Sequence, residues 1–171
     1  PCLAEGLQSQ NDYLRLHCLE VMEDLTQRVD GKTKGRLAIM ASPLLLEDVT
    51  EVAAQAANVC GAAKVADPLV IALRRRHETP VLVSVIRALG KTGQSVAREE
   101  LNLWIRDQEL ASLSSDLAAS IEGALLRLDA MHPIRPLLDM LGAEDPAISF
   151  AALHVLIEIT GSDQGLDPLI P

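Results

Sequence analysis

The chain has 171 residues, of which 49% are apolar, and carries a formal net charge of −9. Its aromatics are one Trp, one Tyr and one Phe (Trp104, Tyr13 and Phe150), so the apolar content is mostly Leu, Ala, Val and Ile; this argues against aromatic-rich β-sandwiches and barrels and for helix. The acidic balance argues against general nucleic-acid binding, which needs Lys and Arg to neutralise phosphates, and no run approaches the ~20 apolar residues of a membrane span.

Charge is uneven along the chain. Residues 64–106 hold eight basic side chains against four acidic ones, whereas residues 107–171 hold two against eleven. The central segment therefore suits an acidic partner, and the C-terminal segment repels anionic surfaces. Cys2, Cys18 and Cys60 are widely spaced with no CxxC, which predicts free buried thiols rather than a disulfide framework or a zinc site. That pattern suits a reducing compartment, and a cytoplasmic chain is the expectation.

In chain order, apolar periodicity predicts helices over 12–29, 33–42, 48–61, 67–77, 80–91, 95–107, 114–129, 133–141 and 146–160. Pro43 interrupts the apolar stretch between the second and third of these. Asp67-Pro68, Thr79-Pro80, Asp145-Pro146 and Asp167-Pro168 each read as an N-cap followed by Pro at the first helical position. Gly61, Gly90, Gly142 and Gly161 stand where helices are expected to stop.

These helices repeat. The segment 63–73 matches 131–141, with Pro68 on Pro136, Leu69 on Leu137 and Leu73 on Leu141; Pro168 begins the pattern again, and Glu100 stands in the same register. The anchors 68, 100, 136 and 168 are thus spaced by 32, 36 and 32 residues. A second set interleaves with them: 53–61, 85–93, 121–129 and 152–160. Two interleaved segments with one period describe a stacked two-helix unit. The second helix of each unit is apolar nearly all round, as in Ile148, Leu153, Val155, Leu156, Ile157 and Ile159, so it must be covered on several sides.

The pattern resembles HEAT repeats, in particular the short bacterial kind similar to the HEAT-like repeats of phycobilisome lyases. The residues that carry the resemblance are an acid at the turn inside each hairpin (Asp48, Glu78, Asp116, Asp145), Ala88-Leu89-Gly90 closing a second helix, and Asp-Pro-Leu opening the next first helix. It covers residues 12–171 and implies an all-α fold, a right-handed α-α superhelix of about four to five two-helix repeats forming one solenoid domain over 1–171. The last repeat stops just inside its first helix, as in a piece of a longer array.

In HEAT-like solenoids the second helices line the concave, binding side. Helical spacing places Gln55 and Asn58 with Glu51, then Ser84, Arg87 and Lys91, then Arg127 with Ser120 and Gly123, and then His154 and Glu158 with Ala151, on one outward stripe; Glu20, Asp24 and Gln27 occupy it on the first unit. This stripe, running from acidic through neutral to basic and then mixed, is the expected partner-binding surface.

Catalytic chemistry is poorly represented. His77-Glu78 is one His-Glu pair, whereas the HEAT-like deoxyhypusine hydroxylases place such pairs on several repeats to hold two irons; Glu78 reads as the hairpin-turn acid instead. Arg74-Arg75-Arg76 could form a phosphate patch, but a cationic cluster in the last turn of a helix is what the helix dipole favours, and that structural or solvated use is the expectation. A base-flipping glycosylase needs a basic, aromatic groove, and one Trp on an acidic chain argues against it. His154 and Glu158 share a helix face with no third ligand, and Trp104 is expected to pack between helices. His17 and His132 read as a helix-face and a pre-proline turn residue. There is no Gly-rich phosphate loop, GxSxG or HExxH. The expectation is a non-catalytic scaffold or adaptor for a protein partner, without nucleic acid, membrane, metal or cofactor. The alternative is an accessory or regulatory domain of a larger enzyme, or a chaperone similar to the bilin lyases.

Overall fold

The computed structural model describes residues 2–108, 113–128, 140–141 and 145–160. Among them every regular element is helical: α1 (Cys2–Leu7), α2 (Asp12–Thr26), α3 (Gly31–Ala41), a 3₁₀ turn (Ser42–Leu46), α4 (Thr50–Ala62), α5 (Asp67–Arg75), α6 (Thr79–Thr92), α7 (Ser95–Arg106), α8 (Ser115–Leu128) and α9 (Pro146–Thr160). The expected helix 133–141 lies outside the described residues except for Met140 and Leu141. No described helix is long and apolar enough to cross a membrane.

The packing alternates as the two interleaved segments require. Helices α2, α4, α6, α8 and α9 form a row in which each touches the next. Beside it, α3 packs on α2 and α4, α5 on α4 and α6, and α7 on α6 and α8, while α5 also touches α7. The row is therefore covered along one side by these helices and supplies most of the core: Leu19 and Met22 from α2, Val52 and Val59 from α4, Val85, Ile86 and Leu89 from α6, and Leu117 and Ile121 from α8. Leu69 and Leu73 of α5 and Leu101 of α7 close it from the flanking side. A smaller apolar cluster around Ala152 joins α9 to Leu126 of α8. Cys60 is fully buried in the main core, where desolvation pushes its thiol up to about 12, so it is protonated at neutral pH and acts as a small apolar side chain.

Several helix ends differ from expectation. Asn11 caps α2 by accepting from the N–H groups of Tyr13 (3.0 Å) and Leu14 (3.4 Å), and Asp30 caps α3 by accepting from Thr33 N–H (2.8 Å). That last bond is the main cause holding the Asp30 carboxyl below its ordinary pKa. Asp145 caps as expected, accepting from Ala147 N–H at 2.9 Å. Asp67 and Thr79, by contrast, are the first residues of α5 and α6; the capping positions are Ala66 and Glu78, and neither makes a side-chain capping bond. The acidic Asp67 still favours the positive end of its helix dipole.

The expected stops at Gly61 and Gly90 are also corrected. Both lie inside their helices, and their lack of a side chain permits helix contact: a Cβ on Gly61 would fall 2.8 Å from Ala88 Cα, and one on Gly90 2.7 Å from Ala124 Cα. The left-handed residues that follow these helices are Lys64 (φ 59°) and Gly93 (φ 67°). At Lys64 the bonds Val65 N–H to Cys60 O (3.0 Å) and Lys64 N–H to Gly61 O (3.0 Å) complete a Schellman-type turn. A lysine there carries a left-handed penalty that Gly93 avoids. Lys64→Gly is expected to stabilise the protein by about 0.5–1 kcal/mol once the extra freedom of glycine in the unfolded chain is subtracted. A urea melt with a raised midpoint and unchanged slope is the expected result; a lowered midpoint would contradict it.

The stretch around Pro43 resolves as the 3₁₀ turn. It buries Leu44 and Leu45 and packs on α3, α4 and α5. Its end is pinned from both sides. Arg15 of α2, which also pairs with Asp12, pairs with the Glu47 carboxylate, and Arg76 Nη1 donates to the Glu47 carbonyl at 2.8 Å.

Candidate partner-binding face

The second-helix row brings the expected stripe together in part. On α4, Gln55 and Asn58 are half-buried, and Asn58 Nδ2 donates to Gln55 Oε1 at 3.1 Å. Gln55 Nε2 in turn donates to Glu23 Oε2 of α2 at 2.8 Å. On α6, Ser84 is half-buried, with its hydroxyl donating to the Pro80 carbonyl (3.2 Å), while Arg87 and Lys91 are exposed. Arg87 Nε donates to Ser120 Oγ of α8 at 3.2 Å, and Ser120 Oγ donates to Asp116 O at 2.7 Å. Arg127 of α8 is half-buried and His154 of α9 is exposed. Glu158 belongs to α9, but its side chain lies outside the described residues, as does that of Ala151.

Two features depart from the expected stripe. Ser120 and Gly123 are buried rather than presented, and Ser120 accepts a hydrogen bond from Arg87 of α6. Glu23, absent from the expected set, accepts a side-chain hydrogen bond from α4, whereas Glu20, Asp24 and Gln27 are exposed. The signal that finds Glu23 is the repeat spacing itself: Glu23, Gln55, Arg87 and Ser120 are separated by 32, 32 and 33 residues. Helical phase alone, counted separately in each helix, misses it by one position.

The exposed charge along this row changes sign between α4 and α6 and is acidic again on α8, at Asp116 and Glu122. Glu20 and Asp24 on α2 and Glu51 on α4 precede Arg87 and Lys91 on α6.

The other expected chemistry disperses. His17 Nδ1 sits 3.4 Å from Glu20 Oε2 on the exposed side of α2. Glu78 Oε2 lies 3.0 Å from Arg76 Nε and accepts from the His77 backbone N–H at 3.3 Å. Backbone hydrogen bonding, aided by Arg76, holds its carboxyl below the usual range. Glu78 is thus occupied as the hairpin-turn acid. Among the described residues no group of three or more His, Cys, Asp or Glu side chains is placed to hold a metal ion. No protein-family model matches the chain, and no curated protein matches it. The geometry of the row is therefore the basis for a functional reading.

Proposed function

We propose that this chain is a HEAT-type α-solenoid acting as a non-catalytic scaffold, and that its second-helix row forms the concave face that binds a protein partner. The observation that carries this reading is the cross-helix polar seam, Glu23 to Gln55 and Arg87 to Ser120, running beside the exposed acids of α2 and α4 and the exposed bases of α6. Those bonds hold the seam's side chains in place before a partner arrives, which lowers the ordering cost of binding. Arg87 and Lys91 supply the cationic end that draws in an acidic patch.

The test places a photo-cross-linking residue at Ser84 in the row, or at Leu103, which is exposed on α7 of the flanking side. Cross-linked protein is expected from Ser84 and not from Leu103, and Arg87→Glu/Lys91→Glu is expected to reduce capture at least about tenfold while the circular dichroism stays unchanged. Equal cross-linking from both positions, or undiminished capture by the folded double variant, would remove this face as the binding surface.

A further inference from the structure

On the flanking side, away from the polar seam, Ile39 of α3, Ile71 of α5 and Leu103 of α7 are 69%, 49% and 51% exposed. Single exposed apolar side chains are ordinary on a protein surface. These three are separated by 32 and 32 residues, the repeat period, so each occupies the same place in its unit. Helix α5 touches α7, and the 3₁₀ turn joins α3 to α5, so the three stand on successive neighbours as an apolar ladder. Val96, seven residues before Leu103 and on the same face of α7, is exposed beside it.

The charges next to the ladder repeat with it. Asp67 and Glu99 stand four residues before Ile71 and Leu103, and Arg74 and Arg106 three residues after them. Those spacings put acid, apolar residue and base on one helix face, in that order along both helices. All four charged residues are exposed. Arg74 pairs with Glu100, whereas Glu99 and Arg106 have no ion-pair partner among the described residues. The helix dipole accounts for Asp67 in the first turn of α5, but not for Glu99, which lies beyond the first turn of α7, nor for the exposed apolar residues.

A face with this order is complementary to itself. About a two-fold axis running along the ladder, each flanking helix of one copy lies antiparallel to its counterpart in a second copy. Ile39, Ile71 and Leu103 then meet their own equivalents, the acidic end of each helix covers the basic end of its counterpart, and Glu99 faces the second copy's Arg106. We propose that this ladder is a homodimer interface, covered by a second copy of the same chain. It is independent of what the second-helix row binds, and it leaves the row of each copy open.

Sedimentation velocity is expected to show a reversible dimer forming between about 1 µM and 1 mM, the range of a small interface. Ile71→Glu/Leu103→Glu is expected to weaken it at least about tenfold with unchanged circular dichroism, because both positions are exposed. Glu99→Arg and Arg106→Glu are each expected to weaken it by placing like charges opposite one another across the two-fold. An equimolar mixture of these two variants is expected to regain the parental affinity, since each reversed charge then meets its opposite. Arg87→Glu/Lys91→Glu, on the second-helix row, is expected to leave the dimer unchanged. A photo-cross-linker at Leu103 then joins two copies of this chain and no other protein, a product told from partner capture at Ser84 by its doubled mass. A monomer throughout that concentration range, a dimer indifferent to the ladder substitutions, a dimer lost with Arg87→Glu/Lys91→Glu, or a mixture no tighter than its components would overturn the assignment.

Discussion

Gly90→Ala is expected to destabilise the protein by about 2 kcal/mol, although the same exchange favours an isolated helix by about 1 kcal/mol. The new Cβ would lie 2.7 Å from Ala124 Cα and 3.0 Å from Ala124 Cβ, distances at which α6 and α8 must separate. Because the nearest obstacle is backbone, no rotamer change relieves it. Overpacking of this kind costs about 1–3 kcal/mol, and pushing α6 away also disturbs its contact with α4, so the upper end applies before the helix-propensity gain is subtracted. Gly61→Ala meets Ala88 in the same way. Gly35 of α3 is the internal comparison: a Cβ there meets nothing within 4 Å, so Gly35→Ala is expected to stabilise by up to about 1 kcal/mol. Urea unfolding of the three variants should give two lowered midpoints and one raised. A Gly90→Ala protein as stable as the parent would refute the close approach. Ala124→Gly is expected to rescue Gly90→Ala only partly, because it removes the 3.0 Å contact and leaves the 2.7 Å one.

Arg76→Ala is expected to cost about 3 kcal/mol. Arg76 stands just after α5, 7% exposed, with Nη1 on the Glu47 carbonyl at 2.8 Å and Nε 3.0 Å from the Glu78 carboxylate. Hydrogen bonds from a charged group contribute about 1.5–3 kcal/mol, and truncation also leaves the Glu47 carbonyl without this donor and opens space beneath the turn. Arg76→Met keeps the stem's packing and removes the charge together with its buried, unsatisfied Nη2, so it should cost about half as much. Thermal unfolding distinguishes the two. Equal loss in both variants would assign the effect to the hydrogen bonds, and no loss in either would show that the Arg76 link to the 3₁₀ turn contributes nothing. Since Glu47 is also gripped by Arg15, Arg15→Ala combined with Arg76→Ala is expected to be non-additive.

Much of the helical architecture was legible because it rests on local periodicity. The 3.6-residue pattern and the Pro positions located α2 to α8 and α9 to within a few residues, and the interleaved spacing anticipated which helices would neighbour one another. The 3₁₀ turn was marked only as an interruption, since Pro43 announces a break without saying what fills it. Helix α1 was missed: six residues carry less than two turns of pattern, too little for periodicity to register. On the second-helix row, helical phase anticipated the exposure of Arg87 and Lys91 and the half-burial of Gln55, Asn58 and Ser84, but not the burial of Ser120 or the part played by Glu23. A residue's phase within its helix follows from the sequence, but whether a neighbouring helix covers it depends on how the two cross.

By itself, then, the sequence determined the helical class, the repeat period and the positions of most helices, since each follows from interactions among residues close in the chain. Tertiary structure alone decided the rest. It made Gly61 and Gly90 contact points rather than stops, turned Arg76 from one of three adjacent arginines into a buried strut, and placed Trp104 beside Arg74 and His77. These are properties of side chains some 27–34 residues apart, and their distances are set by helix packing, which no local pattern records.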